Sequence, residues 1–288
     1  LTLEMPTLEG VQHRHVTVDG VSIHVAEAGS GPPLVLQHGW PQNWWAWRHV
    51  IAALAPHHRV ICPDLRGFGW SDAPSRGYEK ERLASDLLGL LDALELERVG
   101  LAGHDWGGFV GFLACLRAPE RFTGYVALAI THPWMQIPRI PDPRQLARAW
   151  YQLVIASPVL GGALLRRERV TRTLIERAGA GVWDEQSREL YARALSRPAT
   201  VAATVALYRS FLTRELPELR GGRYDDVRLE VPTLLVVGDR DPVITPPALA
   251  GFEQHGDELS LEWVPGAGHW LPEELPELVV ERIRRVCS

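Results

Sequence analysis

The sequence predicts an α/β fold: a mostly parallel, twisted sheet flanked by helices, with an all-helical cap inserted into it. Three observations carry this expectation. Short, continuously apolar segments alternate with helical patterns, as buried parallel strands covered on both faces require. The alternation stops after Thr131 and resumes only near Thr233. Between one apolar strand and one helix lies a sharp, glycine-bounded turn, Val99-Gly-Leu-Ala-Gly-His-Asp-Trp-Gly-Gly108.

Taken in order, Val16 to Val25 alternates apolar and polar residues around Asp19-Gly20, the pattern of a β-hairpin. Continuous strands follow at Leu34–Gln37, Val60–Cys62, Val99–Ala102 and Tyr125–Ile130, with helices at Trp44–Leu54, Lys80–Leu94 and Gly107–Leu116. The stretch from Pro133 to Arg223 reads only as helix, punctuated by Pro138, Pro141, Pro143, Pro158, Gly161 and Pro198. Strand Thr233–Val237, helix Pro247–Gln254, strand Leu259–Val264 and helix Glu273–Arg285 complete the chain. The expected organisation is a core of residues 1–132 and 224–288, with a cap of residues 133–223 between the sixth and seventh strands. The first ten or so residues read as a loose arm, and a start at Leu1 rather than Met leaves room for residues upstream.

With 46% apolar and 23% charged residues, the 288-residue chain has material for one large core and no disorder signature. A net charge of −5 argues against nucleic acid as a partner. No apolar run approaches a membrane span, and the first residues lack a signal-peptide core. The three cysteines, Cys62, Cys115 and Cys287, are odd in number and widely spaced, which suggests a reducing, cytoplasmic setting. Lys80 is the only lysine among thirty basic residues, and sequence alone attaches no function to it.

The turn at Gly103–Gly107 has the strand–turn–helix context of the nucleophile elbow G-x-S-x-G, with Asp105 where that motif carries serine. The flanking glycines are expected because side chains there would collide with neighbouring backbone. A residue so presented stands at a helix N-terminus, where an anion is stabilised. The competing role for Asp105 is a plain helix N-cap, which needs neither glycine. A carboxylate, with a reference pKa of about 4, attacks without a base. It displaces a leaving group from an sp³ carbon and leaves an alkyl ester, whose hydrolysis then needs an activated water.

Gly266-Ala-Gly-His-Trp270 follows one late strand, and Gly238-Asp-Arg-Asp-Pro242 follows the strand before it. His269 and an acid thus fall at strand carboxyl ends, where open α/β sheets gather catalytic groups. Asp239 and Asp241 both qualify as that acid. Asp241 is preferred, because Asp239 adjoins the strand end and suits an Asx turn. In Gln37-His-Gly-Trp-Pro41, Gly39 lets backbone approach, so the N–H of Trp40 can join that of Trp106 in an oxyanion hole. His38 and His104 read as structural. The order nucleophile, acid, histidine is that of the α/β hydrolases.

His38-Gly-Trp-Pro-Gln42, Asp64-Leu-Arg-Gly-Phe-Gly-Trp-Ser-Asp72, Gly103-His-Asp-Trp-Gly-Gly108 and Gly238-Asp-Arg-Asp-Pro242 together resemble the epoxide hydrolases of that superfamily, most nearly the actinobacterial, mycobacterial type. The resemblance covers essentially the whole chain. It departs at Trp40, where the family usually has phenylalanine; the backbone donor is kept and the pocket is expected to be narrower. It implies conversion of an epoxide to a vicinal diol, a detoxification chemistry. Two cap tyrosines would bind and protonate the epoxide oxygen. Tyr151 matches the first by its Tyr-Gln context and Tyr208 the second by its Tyr-Arg context; the competing role, as core residues, follows from the apolar helical stretches in which both lie. Trp40, Trp106 and Trp134 are expected to line an aromatic pocket, while Tyr191, set among charges, reads as an exposed helix residue.

The implied partners are a small-molecule epoxide and water, with no metal or organic cofactor and a homodimer left open. A haloalkane dehalogenase would share Asp105, His269 and Trp106, but position 40 is not the Asn that such an enzyme uses for halide. A non-catalytic ligand-binding protein on the same scaffold is the rival from another class.

Overall fold

The computed structural model describes residues 3–135, 151–179 and 181–287. Its centre is an eight-stranded sheet of β1 (Val11–Val18), β2 (Val21–Ala28), β3 (Pro33–Gln37), β4 (Arg59–Pro63), β5 (Val99–His104), β6 (Phe122–Leu128), β7 (Thr233–Gly238) and β8 (Leu259–Val264). The spatial order is β1-β2-β4-β3-β5-β6-β7-β8. Pairing is parallel from β4 to β8, and β1 and β2 add an antiparallel hairpin at one edge. Strands β5 and β7 are buried along their whole length, which explains their unbroken apolar sequence.

The hairpin turns at Asp19 and Gly20, both at positive φ, so the Asp-Gly pair supplies the twist that two-residue hairpins need. On the sheet pack helices α1 (Arg48–Leu54), α2 (Lys80–Ala93) and α3 (Trp106–Arg117). Several expected boundaries move for local reasons. Trp44–Trp47 is a 3₁₀ turn capped by Asn43 rather than the start of α1. The last expected helix is two, Leu271–Glu274 and Pro276–Cys287, because the residue before a proline is pushed out of helical geometry. The expected helix at Pro247–Gln254 likewise breaks at Gly251, which adopts positive φ.

Between β6 and β7 the described residues form helices and turns. Helical turns at 151–156 are followed by α4 (Leu160–Leu165), α5 (Glu168–Ala178), α6 (Glu185–Ser196), α7 (Pro198–Ser210), a five-residue π-helical stretch at Phe211–Glu215, and α8 (Leu216–Arg220). Two expectations are corrected here. The N-terminal arm is not loose from Leu3 onward: Leu3, Met5 and Leu8 pack on the core, and the Trp70 indole donates to the Leu3 carbonyl at 3.2 Å. Tyr191 is wholly buried, because Ser187, Leu190, Tyr191 and Ala194 share one face of α6 while its charged neighbours turn away.

The loop from β4 is organised by one buried carboxylate. Asp64 accepts from the Trp44 N–H (2.8 Å), the Trp70 N–H (3.0 Å) and His24 Nδ1 (2.7 Å). Burial opposes its ionisation, yet His24, His38 and the Trp70 amide outweigh burial and hold its pKa low. Asp64→Ala would strand these donors in the interior, so we predict a loss of about 3–5 kcal/mol in denaturant unfolding at neutral pH. A change under 1 kcal/mol would show that Asp64 does not organise the loop.

Candidate active site

Strand β5 runs into a turn at Asp105, whose backbone adopts φ 51° and ψ −129° before α3 begins. A non-glycine residue there costs about 1–3 kcal/mol, a strain that neighbouring packing must enforce. It is enforced by close approach. A Cβ on Gly107 would lie 2.3 Å from the His38 carbonyl oxygen, and one on Gly103 would lie 2.6 Å from that of Gly107. Gly39 is required for the same reason from the other side: its Cβ would fall 2.4 Å from that of Asp105.

The Asp105 side chain makes no capping bond to its own helix. One carboxylate oxygen, Oδ1, accepts from the Trp40 backbone N–H at 2.7 Å. The other, Oδ2, faces His269 Nε2 at 3.5 Å. The Trp106 N–H is the first of α3 and has no partner within that helix. His269 Nδ1 is 2.7 Å from Asp241 Oδ2, and the other Asp241 oxygen accepts from the Val243 and Ile244 N–H groups at 2.7 and 3.0 Å. Asp239 is elsewhere: it accepts from the Gly266 N–H at 2.7 Å and ties together the loops after β7 and β8. Asp105, His269 and Asp241 therefore form one line of contacts.

Burial alone would lower the His269 pKa, but the carboxylates of Asp241 and Asp105 dominate and raise it to about 10. Asp241 is held low despite its burial, chiefly by His269 and the two loop amides. His104, its ring tilted against that of His269 at 5.2 Å, is pushed down to about 4 by burial and by its cationic neighbour. Its neutral ring donates from Nε2 to the His269 carbonyl at 2.8 Å. His38 receives the Leu65 N–H and donates to the Gly39 carbonyl, so both histidines brace loops.

Tyr208 stands above this line, its ring edge-on to Trp40 at 5.4 Å and to Trp106 at 5.8 Å. Tyr151 lies 6.5 Å from Tyr208 between ring centres. Burial and, to a lesser degree, the Asp105 charge raise both phenols, Tyr151 to about 12. Both therefore stay protonated at neutral pH. Trp134 is not brought to this site, contrary to the sequence expectation. Its indole donates to the Tyr224 and Val227 carbonyls, and its ring stacks on His255 at 4.6 Å, in a packing cluster with Phe112 and His132.

Sequence reading passes over several supports. Glu274 accepts from the Gly268 and Trp270 N–H groups at 2.7 and 2.8 Å, clamping the backbone on both sides of His269. It stands four residues after the N-cap Trp270, one past the capping-box position that Glu273 occupies, so no local motif marks it. Glu273 is buried with Arg48 and accepts from Gln42 at 2.6 Å and from the Tyr191 hydroxyl at 3.0 Å. Partners this distant in sequence leave no local pattern. The Trp40 indole reaches Thr204 of α7 at 3.3 Å. Among the described residues, no group of three or more His, Cys, Asp or Glu side chains is arranged to hold a metal ion.

An elbow on a mostly parallel sheet, followed in chain order by an acid and a histidine, defines an α/β hydrolase whose elbow residue is a carboxylate. The family described as alpha/beta hydrolase fold matches residues 32–276. Over its length the chain is similar to the soluble epoxide hydrolase of Corynebacterium sp. (strain C12), at 31% identity covering 94% of this chain and 95% of that protein. It is also similar to epoxide hydrolase A of Mycobacterium tuberculosis, at 30% identity covering 91% and 93%. The solved epoxide hydrolase CorEH superposes with a TM-score of 0.86 at 27% identity, covering 96% of this chain and 98% of that one. The chain belongs to the α/β-hydrolase fold family, among its epoxide hydrolases.

The charge balance around His269 can be measured. Removing the negative charge of Asp105 removes one of the two carboxylate contributions that raise the imidazole pKa. In Asp105→Asn, the His269 pKa followed by NMR should fall clearly below its wild-type value. An unchanged pKa would mean that the two side chains are not electrostatically coupled.

Proposed function

We propose that the protein hydrolyses a small epoxide to a vicinal diol through an ester on Asp105. The observation that carries this reading is the division of labour in one carboxylate, with Oδ1 on the Trp40 N–H and Oδ2 free toward His269. Attack by Oδ2 on an epoxide carbon breaks the ring C–O bond. Oδ1 is left as the ester carbonyl oxygen, already at a backbone donor. Tyr151 and Tyr208 bind the epoxide oxygen, and one of them gives it a proton. In this reading residues 133–223 act as a cap that brings the tyrosines over the nucleophile.

Ester formation erases the Asp105 charge, so the His269 pKa falls. Its proton passes to the tyrosinate left by ring opening. Neutral His269, oriented by Asp241, then takes a proton from water as the hydroxide adds to the ester carbon. The oxyanion develops on Oδ1, where the Trp40 N–H and the Trp106 N–H stabilise it. Collapse expels the alkoxide, which takes the remaining water proton from the regenerated carboxyl group. The diol leaves, and Asp105 and imidazolium His269 face each other again. The three free, buried cysteines support a reducing, cytoplasmic setting.

One observation favours a second reading. The Trp106 indole N–H is buried and makes no hydrogen bond of good geometry, facing only the Tyr208 hydroxyl, and a halide ion could accept from it. The tyrosine pair favours the epoxide. Parallel incubations with styrene oxide and 1-bromobutane distinguish the two, and the account expects diol from the first and no bromide from the second. Bromide without diol would establish the dehalogenase reading, and neither product would favour a binding protein. If the tyrosines donate to the epoxide oxygen, each Tyr→Phe change should slow ester formation by roughly 2–4 kcal/mol of barrier, as for other oxyanion donors. Wild-type single-turnover rates in the Tyr151→Phe, Tyr208→Phe double variant would return both to a packing role.

A further inference from the structure

The single lysine of the chain is buried beneath the proposed site. Lys80 opens α2, and its side chain is wholly shielded from solvent. Its ammonium donates to the Leu207 carbonyl at 2.7 Å and to Glu215 Oε2 at 2.9 Å, while its own backbone N–H donates to Glu215 Oε1 at 2.6 Å. The ammonium also lies 4.5 Å from the centre of the Trp106 ring and 5.1 Å from that of Phe211. Trp106 follows the nucleophile in sequence, and Leu207 precedes Tyr208. Trp106 in turn meets Phe211 at 4.8 Å and Tyr208 at 5.8 Å. One cation thus touches the elbow helix and the backbone beside the cap tyrosine together.

Burying an ammonium costs far more than burying a hydrocarbon of the same length, unless hydrogen bonds and an opposite charge satisfy it. Burial lowers the Lys80 pKa to about 8 against the pull of Glu215, so the group stays mainly charged at neutral pH. An apolar side chain could fill the space at lower cost, but it could not hold the Leu207 carbonyl. That carbonyl is fixed on several sides, accepting also from the Ser210 hydroxyl at 3.0 Å and from the Phe211 N–H. The helix then widens into the π-helical stretch that carries Glu215 back to Lys80.

We infer that Lys80 is a positioning residue for Tyr208: it fixes the cap phenol against the elbow, so that its loss slows epoxide opening and spares ester hydrolysis. The inference rests on the epoxide-hydrolase reading above. Ring opening uses the phenol, whereas ester hydrolysis uses His269, Asp241 and the backbone N–H groups of Trp40 and Trp106; of these residues Lys80 meets Trp106 alone, through its ring and not its N–H. A misplacement of the donor by about 1 Å is enough to cost on the order of a hundredfold in rate.

The test is a double-mutant cycle read by rapid-quench intact mass with styrene oxide, which separates formation of the ester from its decay. Lys80→Met should slow ester formation roughly 10–100-fold and leave its decay unchanged. In a Tyr208→Phe background the same change should cost no more than about twofold, because the group being positioned is gone. If Lys80→Met does not fold, Glu215→Gln removes the counter-charge while keeping an acceptor, and should give the same pattern at smaller size. Equal slowing in both backgrounds, or parallel slowing of ester formation and decay, would overturn the inference and leave Lys80 a packing residue. If the wild type forms no ester at all, the hydrolase reading itself fails, and the inference with it.

Discussion

A carboxylate held at a strained turn, with one oxygen on a backbone amide and the other facing an imidazole, is the constraint on which the site depends. Asp105 keeps its positive φ only because Gly39, Gly103 and Gly107 let three backbone segments converge on it. That convergence places the Trp40 N–H on Oδ1 and leaves Oδ2 toward His269. The Asp105 charge then helps to set the protonation of His269. In the proposed mechanism, a nucleophile that loses its charge on reacting changes the base it faces, so the first step would prepare the second without any movement of the fold.

The helices between β6 and β7 are tied to the sheet by buried polar contacts as well as by apolar packing. On one side Glu273, paired with Arg48, accepts from the Tyr191 hydroxyl. Lys80 reaches Leu207 and Glu215 on the other, and Thr204 meets the Trp40 indole between them. Such contacts are poor sources of net stability, since each charge must be desolvated. They are directional, however, and they set where a side chain of these helices stands relative to Asp105. An apolar interface tolerates sliding, and a proton donor does not.

Much of this was legible in the sequence. Buried parallel strands show as unbroken apolar runs, and the elbow shows because close backbone approach demands glycine at fixed offsets from Asp105. The acid and the histidine follow from their places after late strands. The structure puts Asp241, not Asp239, against His269 because the residue nearer the strand end is used to tie two loops. What sequence missed is what long-range contact decides. Tyr191 was misjudged by its charged neighbours, although its spacing from Ser187, Leu190 and Ala194 already marked a buried face. Trp134 is expected in the pocket and lies instead against Tyr224, Val227 and His255, because an indole carries no local sign of which cavity or cluster it enters. Lys80 looked incidental because its partners lie more than a hundred residues away.

The central claim is a covalent sequence in which Asp105 attacks and His269 acts only afterwards. His269→Gln tests it most directly. Attack by the carboxylate does not use the imidazole as a base, but removal of the ester does. Mixed with styrene oxide, this variant should accumulate enzyme heavier by one substrate mass, and peptide mapping should locate the addition on Asp105. A folded variant that binds the epoxide yet forms no adduct, or that still turns over at the wild-type rate, would contradict the account.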